Sequence, residues 1–312
     1  MRDYMHLYRH DLLPCEQWSE HWDVFVSAYN FSERANLVFN KISATRKLWL
    51  VHEEYGFDKG ELPFDEPFLC KAMDETSVLD FWEQRMTVIE NTNKSICIDA
   101  TGFMRPHLLF LLHLMVEKGI RKFDILYSEP KYYKHKDQTA FSGKHVDQVR
   151  QIVGFEGVSD TSGDRDILVI GAGYETHLIE EIAENKDRAR KVVILGLPSL
   201  RADMYQQNAW RTWLAEDALD GAKSQRWFAP ASDPFATATI LSERIYRERK
   251  MGNIRHLYLA PLATKAQAIG FALFYLTECK GSNTSIIFPF TVDYERETSI
   301  GFSRAWLHTL EF

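Results

Sequence analysis

The sequence predicts an α/β protein with a Rossmann-like, mostly parallel sheet, helices on both faces and an antiparallel C-terminal strand pair. Three observations lead there. Short β-rich runs alternate with longer helical patterns almost from end to end. Several of those runs are apolar throughout, as strands buried on both faces are. The last two runs follow one another with no room for a crossover helix.

Taken in order, the first strand is read at Asp23–Asn30, followed by a helix over Phe31–Ile42 with Ser32 as its cap and a strand at Lys47–Tyr55. The acidic stretch Gly56–Pro67, with its two prolines, is read as a boundary. It separates an N-terminal βαβ unit, residues 1–66, from a Rossmann-like ligand-binding body, residues 67–312, unless the two form one continuous domain. The body opens with a helical pattern at Glu75–Glu90, a strand at Ser95–Thr101, an apolar helix at Pro106–Lys118 and a strand at Phe123–Glu129. Residues 131–154 read as a hairpin or a loop. Further strands are expected at Asp166–Gly171, Lys191–Leu197, Arg226–Pro230 and Arg255–Pro261, each followed by a helical segment, and Ser285–Phe290 with Phe302–Leu310 supply the antiparallel finish.

Composition narrows the function classes. The 312 residues carry a net charge of -7, which argues against a broad basic surface and so against long nucleic acid as a partner, while leaving small anionic ligands in play. Cys15, Cys70, Cys97 and Cys279 are scattered without zinc-binding spacing, so no metal site is expected and a reducing cytoplasm is the natural setting. The N-terminus lacks the apolar stretch of a signal peptide, and Leu108–Val116 is too short to span a bilayer, so no membrane partner is expected. No cofactor is assigned.

In an open parallel sheet, ligands bind outside the carboxyl ends of the strands. The residues there are polar: Asp99, Thr101 and Arg105 after one strand; Glu129 after the next; Gly171, Gly173, Tyr174 and Glu175 after a third; Thr264 and Lys265 after a fourth. Residues of these types also serve as helix caps and turn formers in any α/β protein. The glycines of IGAGYE, residues 170–175, allow backbone amides to approach a phosphate, although the segment does not complete a G-x-G-x-x-G fingerprint. The basic and aromatic run KYYKHK at 131–136 offers Tyr132 and Tyr133 as stacking platforms.

The stretch YLAPLATKAQAIGFALF, residues 258–274, resembles the strand-loop-helix of CARF domains, the Rossmann-like sensors of cyclic oligoadenylates, with Leu262-Ala263 where that family commonly has two glycines. The opening DVFVSAYNFSERA is similar, more weakly, to the start of TIR domains, for which Glu33, Glu53, Glu54 and Glu129 would be the available carboxylates. The first resemblance implies a nucleotide-ligand-binding protein, a homodimer, acting as sensor or effector in prokaryotic antiviral signalling. In that reading Lys265 and Arg105 neutralise phosphate, Thr264, Thr101 and the Gly171–Gly173 backbone hydrogen-bond it, and Tyr174 or Tyr132 stacks the base. Two alternatives stand beside it. One is a nucleotide-processing enzyme, a nucleosidase or phosphodiesterase, with Glu129, Asp99 and Glu175 as acid-base groups. The other is a non-catalytic subunit that docks to a protein partner.

Overall fold

The computed structural model describes residues 1–13, 16, 18–63, 67–86, 94–133, 142–143, 145–157, 163–252, 254–296 and 298–312. The chain begins with β1 (Arg9–Leu12), β2 (His21–Ala28), α1 (Glu33–Lys41), β3 (Ser43–His52), β4 (Phe68–Cys70), α2 (Ser77–Phe81), β5 (Ile96–Asp99), α3 (Arg105–Glu117), β6 (Lys122–Glu129) and β7 (Tyr132–Tyr133). It continues through β8 (Val146–Gln151), β9 (Ile167–Gly171), α4 (Thr176–Asn185), β10 (Arg190–Gly196), α5 (Met204–Leu214), β11 (Gln225–Ala229), α6 (Pro234–Lys250), β12 (Leu257–Pro261), α7 (Lys265–Phe274) and β13 (Thr284–Thr291). β14 (Ser299–Ile300) and β15 (Arg304–Glu311) close it.

These elements form two compact units: a host unit of residues 7–143 and 292–312, and an inserted unit of residues 1–6 and 144–291. The division does not fall at residue 66. β5 pairs in parallel with β2, so the segments before and after the Gly56–Pro67 stretch share one sheet. Of that stretch, residues 64–66 lie outside the described residues, as do Cys15, residues 87–90 of the expected helix and residues 134–136 of the KYYKHK run.

In the host unit the described strands run β1-β15-β6-β5-β2-β3-β4. Its five parallel strands, β4-β3-β2-β5-β6, are ordered 3-2-1-4-5 by their sequence in the chain, the doubly wound arrangement. β15 lies antiparallel to β6, and β1 antiparallel to β15. The core below α1 is aromatic, with Phe39 stacked on Trp49 at 3.8 Å and Phe25 tilted against Phe39 at 5.9 Å. In the inserted unit the order is β11-β10-β9-β12-β13-β8. Its parallel strands again read 3-2-1-4-5, and the antiparallel β8 stands beside the fifth. The antiparallel finish is therefore distributed: β13 finds its antiparallel neighbour in β8 and β15 finds its own in β6, each within its own sheet.

Two local features follow from side-chain chemistry. Helix α5 buries Asn208 and Thr212 and leaves Trp210 and Trp213 exposed, because the Asn208 amide donates to the Ala172 carbonyl at 3.0 Å at the end of β9. At the base of the inserted sheet, Asp166 accepts from Arg255 Nε at 2.8 Å and Nη2 at 2.7 Å, from Gly163 N and from His256 N. Burial alone would raise the Asp166 pKa, but the Arg255 and Gly163 hydrogen bonds outweigh it and hold the carboxyl below its usual range. Its contribution to stability is therefore present above the ordinary aspartate pKa and is lost as pH falls below it. Asp166→Ala is expected to cost about 3 kcal/mol in chemical denaturation at pH 7, since four donors lose their acceptor. A cost near zero would show the pair to be dispensable.

No helix of the described residues is long and apolar enough to cross a membrane.

Candidate functional site

A doubly wound sheet has its crevice where strand order reverses, between the first and fourth parallel strands. The host unit places this switch point between β2 and β5, the inserted unit between β9 and β12. The sequence-predicted residues divide between the two: Asp99, Thr101, Arg105 and Glu129 with Tyr132 belong to the host unit, and Gly171, Gly173, Tyr174, Glu175, Thr264 and Lys265 to the inserted one.

The inserted switch point is filled by its own chain. A Cβ on Gly173 would lie 2.3 Å from the Leu262 carbonyl oxygen, so the loops after β9 and β12 are in direct contact. Gly171 faces Phe271 and Ala263. Thr264 is the N-cap of α7: its hydroxyl accepts from Gln267 N at 3.2 Å and donates to the Ala231 carbonyl. Lys265 is the half-buried first residue of α7. The Tyr174 ring lies beneath Arg211, 5.3 Å from its guanidinium carbon, and Arg211 also donates to the Tyr174 carbonyl. Glu175 occupies the N-cap position of α4. These groups are engaged in capping and packing of the type that the composition of any α/β loop leads one to expect.

The host switch point has a glycine contact of its own, Gly102 against the Ala28 carbonyl, and around it Arg34, Asp99 and Glu129 are buried with the phenols of Tyr55 and Tyr127. Asp99, at the end of β5, accepts from Ser27 Oγ at 2.9 Å on one oxygen and from Thr101 N at 2.9 Å on the other. Desolvation raises its pKa, against the hydrogen bonds from Thr101 and Ser27 and the nearby Arg34. Thr101 joins β5 to β6: its hydroxyl lies 2.8 Å from Ser128 Oγ and accepts from Ser128 N. Glu129, at the end of β6, is buried and ion-paired with Arg304 at 2.8 Å. Arg105 opens α3 and acts electrostatically on the Tyr55 and Tyr127 phenols, as does Arg34. Tyr132 is exposed, whereas its neighbour Tyr133 hydrogen-bonds to Arg34 and Tyr127. Burial pushes the Tyr55 phenol up to about 12 and raises those of Tyr127 and Tyr133. Beside them the rings of Tyr29, Phe31 and Phe57 form a cluster, with Phe31 and Phe57 4.9 Å apart.

A second buried polar group lies after β3 and β4. Glu54 accepts from Met73 N at 2.9 Å and leaves its other oxygen without a partner, and desolvation lifts its pKa to about 7. His107, whose ring is 4.5 Å from that of His52, is held down to about 4 by burial, with Glu75 opposing. Among the described residues no group of three or more His, Cys, Asp or Glu could hold a metal ion.

Arg34 as a site member was not reached from the sequence, while Glu54 appeared as one available carboxylate and Tyr133 as a stacking platform beside Tyr132. A signal existed for Arg34: it lies on the same helical face as Ala35, Val38 and Phe39, at the spacing that buries a stripe. An arginine in that stripe is a buried cation.

No family model matches this sequence, and no curated protein does. A solved multidomain structure of a keto acid-selecting NRPS module, with adenylation, ketoreductase and pseudo Asub domains, aligns with 88% of this chain and 30% of that one. The identity is 10% and the TM-score 0.25, and the chain spans less than a third of that protein's length. The fold assignment rests on the two strand orders.

Proposed function

We propose that this chain binds a small nucleotide-type ligand at the host switch point, as a sensor or effector of the type that the resemblance of residues 258–274 implies. The observation that carries the reading is the convergence of Arg34 on Tyr55, Tyr127 and Tyr133, with Arg105 acting on the first two, near the carboxyl ends of parallel strands. Cations suit a phosphate and aromatic faces suit a base. The Tyr29, Phe31 and Phe57 cluster supports the same reading. The loops of the inserted unit support a scaffolding part, since Thr264 and Tyr174 are already engaged within it.

A thermal-shift panel of adenosine, AMP, ATP, NAD and cyclic oligoadenylate tests this. A true ligand at about a hundred times its Kd adds about 2.7 kcal/mol, a rise of roughly 5–10 °C for a domain of this size. Arg105→Gln is expected to remove most of the shift and Lys265→Ala to leave it. No shift from any member would sink the reading, and the reverse pattern would move the ligand to the inserted unit.

One observation favours an enzyme as the second reading: Glu54 titrates near 7, where a general acid works best. Product formed from a nucleotide by the wild type and abolished by Glu54→Gln would support it.

A further inference from the structure

We infer that Arg34 is the oxyanion receptor of the host unit and that the group it takes is a phosphoryl group, an inference that rests on the nucleotide-binding reading for the remainder of the ligand. Arg34 is 7% exposed, and its Nε and Nη1, which carry three of the five guanidinium N–H donors, meet no hydrogen-bond partner. Its hydrogen bond to Tyr133 accounts for part of the remainder.

A buried cation with most of its donors unmatched is costly unless an anion completes it. Among the described residues no carboxylate is hydrogen-bonded to Nε or Nη1. Asp99 feels Arg34, but its two oxygens are bonded to Ser27 and Thr101, and burial favours its neutral form. Glu129 is committed to Arg304. Glu33, next to Arg34 in sequence, accepts from Gly301 N.

The helix that carries Arg34 adds donors. α1 has nine residues, and its N-cap Ser32 makes no side-chain bond to the first turn. Helical side chains lean toward the N-terminus, so the guanidinium is carried toward the start of α1, where the helix dipole favours negative charge; Ala35 N there is already bonded to the Ser32 carbonyl, so the amides of Glu33 and Arg34 are the donors it adds. Donors spread over Nε, Nη1 and the helix start suit a tetrahedral group with three free oxygens. A carboxylate, with two, would leave donors unmatched. Tyr127 and Tyr133, raised in pKa and so neutral, add hydroxyls without adding charge, while Tyr55 gives its own to the Gly102 carbonyl.

The test uses the full chain in a buffer free of phosphate and sulfate, with orthophosphate, AMP and adenosine as probes and Arg34→Met and Arg34→Lys as variants. Orthophosphate is expected to raise the Tm of the wild type and not that of Arg34→Met. AMP should bind the wild type at least tenfold more tightly than adenosine does, and that ratio should fall to about one in Arg34→Met. Without phosphate, Arg34→Met should melt no lower than the wild type, because an unmatched buried charge has been removed. Should Arg34→Met fail to fold, Arg34→Lys, which keeps the charge without the planar donors, should still fold and lose at least tenfold in phosphate affinity.

A phosphate response that survives in Arg34→Met, or in Arg34→Lys at wild-type strength, overturns the inference. So does a wild type that neither responds to orthophosphate nor separates AMP from adenosine. If orthophosphate binds through Arg34 but no nucleotide gains over it, the nucleotide reading fails and this inference stands. If AMP binds Arg34→Met as tightly as the wild type, this inference fails and the nucleotide reading stands.

Discussion

Gly102→Ala is expected to lose at least about 3 kcal/mol of stability, the upper range for overpacking, because the new methyl would sit against backbone. An ideal Cβ at residue 102 falls 1.8 Å from the Ala28 carbonyl oxygen and 2.8 Å from its carbon. Ala28 ends β2, the central parallel strand of the host sheet, and is paired with β3, so it has little freedom to withdraw. Tyr55 adds a second constraint by donating its hydroxyl to the Gly102 carbonyl at 3.2 Å. Gly60, with nothing within 4 Å of its added Cβ, is the matched control, and Gly60→Ala should be near neutral. Urea denaturation compares the two. Equal midpoints would mean that the loop after β5 does not pass this close to β2. The same contact recurs in the inserted unit, where Gly173 meets the Leu262 carbonyl, so each switch point is closed by one glycine against one carbonyl.

Glu54→Gln should gain about 3 kcal/mol on the wild type between pH 4.5 and pH 7, the free energy equivalent of lifting a carboxyl from 4.5 to about 7. The sign follows from proton binding. A carboxyl whose folded pKa is raised binds its proton more tightly in the folded state, so ionising it removes stability as pH rises from the unfolded value through the folded one. His107 works in the opposite sense: its pKa falls from 6.5 to about 4, so its neutral form stabilises the fold above 6.5 and that contribution is lost as pH falls through 4. Over most of this window the two slopes cancel in the wild type. Glu54→Gln should expose the His107 slope, with stability rising from pH 4.5 to 6.5. Denaturant midpoints measured across pH 4–8 for both proteins check this. A constant difference between them would mean that Glu54 is not desolvated. Met73, in a turn with a φ of 53, donates its N–H to Glu54 and favours the ionised form, against the burial that outweighs it.

Much of the architecture was legible because strand burial leaves a trace in sequence. The runs at 23–30, 95–101, 123–129, 166–171, 191–197 and 255–261 are apolar since both faces of those strands are covered, and each proved to be a parallel strand. Ser32 and Thr264 at helix starts were legible for the same local reason. The candidate site was legible only as a class of positions. Asp99, Thr101, Arg105 and Glu129 followed from the rule about strand ends, and all four gather at the host unit. Thr264 and Lys265 satisfied the same rule, yet the Thr264 hydroxyl is bonded to Ala231, thirty-three residues earlier in the chain. No local pattern carries that partner.

By itself the sequence determined the apolar parallel strands and the helices between them, and that polar residues follow those strands, because periodicity and capping act within a few residues; the short or polar strands β1, β4, β7, β8 and β14 left no such trace. Only the tertiary structure decided that the parallel strands sort into two sheets of the same 3-2-1-4-5 order, with residues 144–291 of the inserted unit spliced between β7 and β14 of the host. It also decided that a glycine meets a carbonyl at each switch point, and that the host one buries Arg34 with Nε and Nη1 unmatched. Strand pairing and desolvation join residues far apart in the chain, and neither is written in the spacing of neighbours.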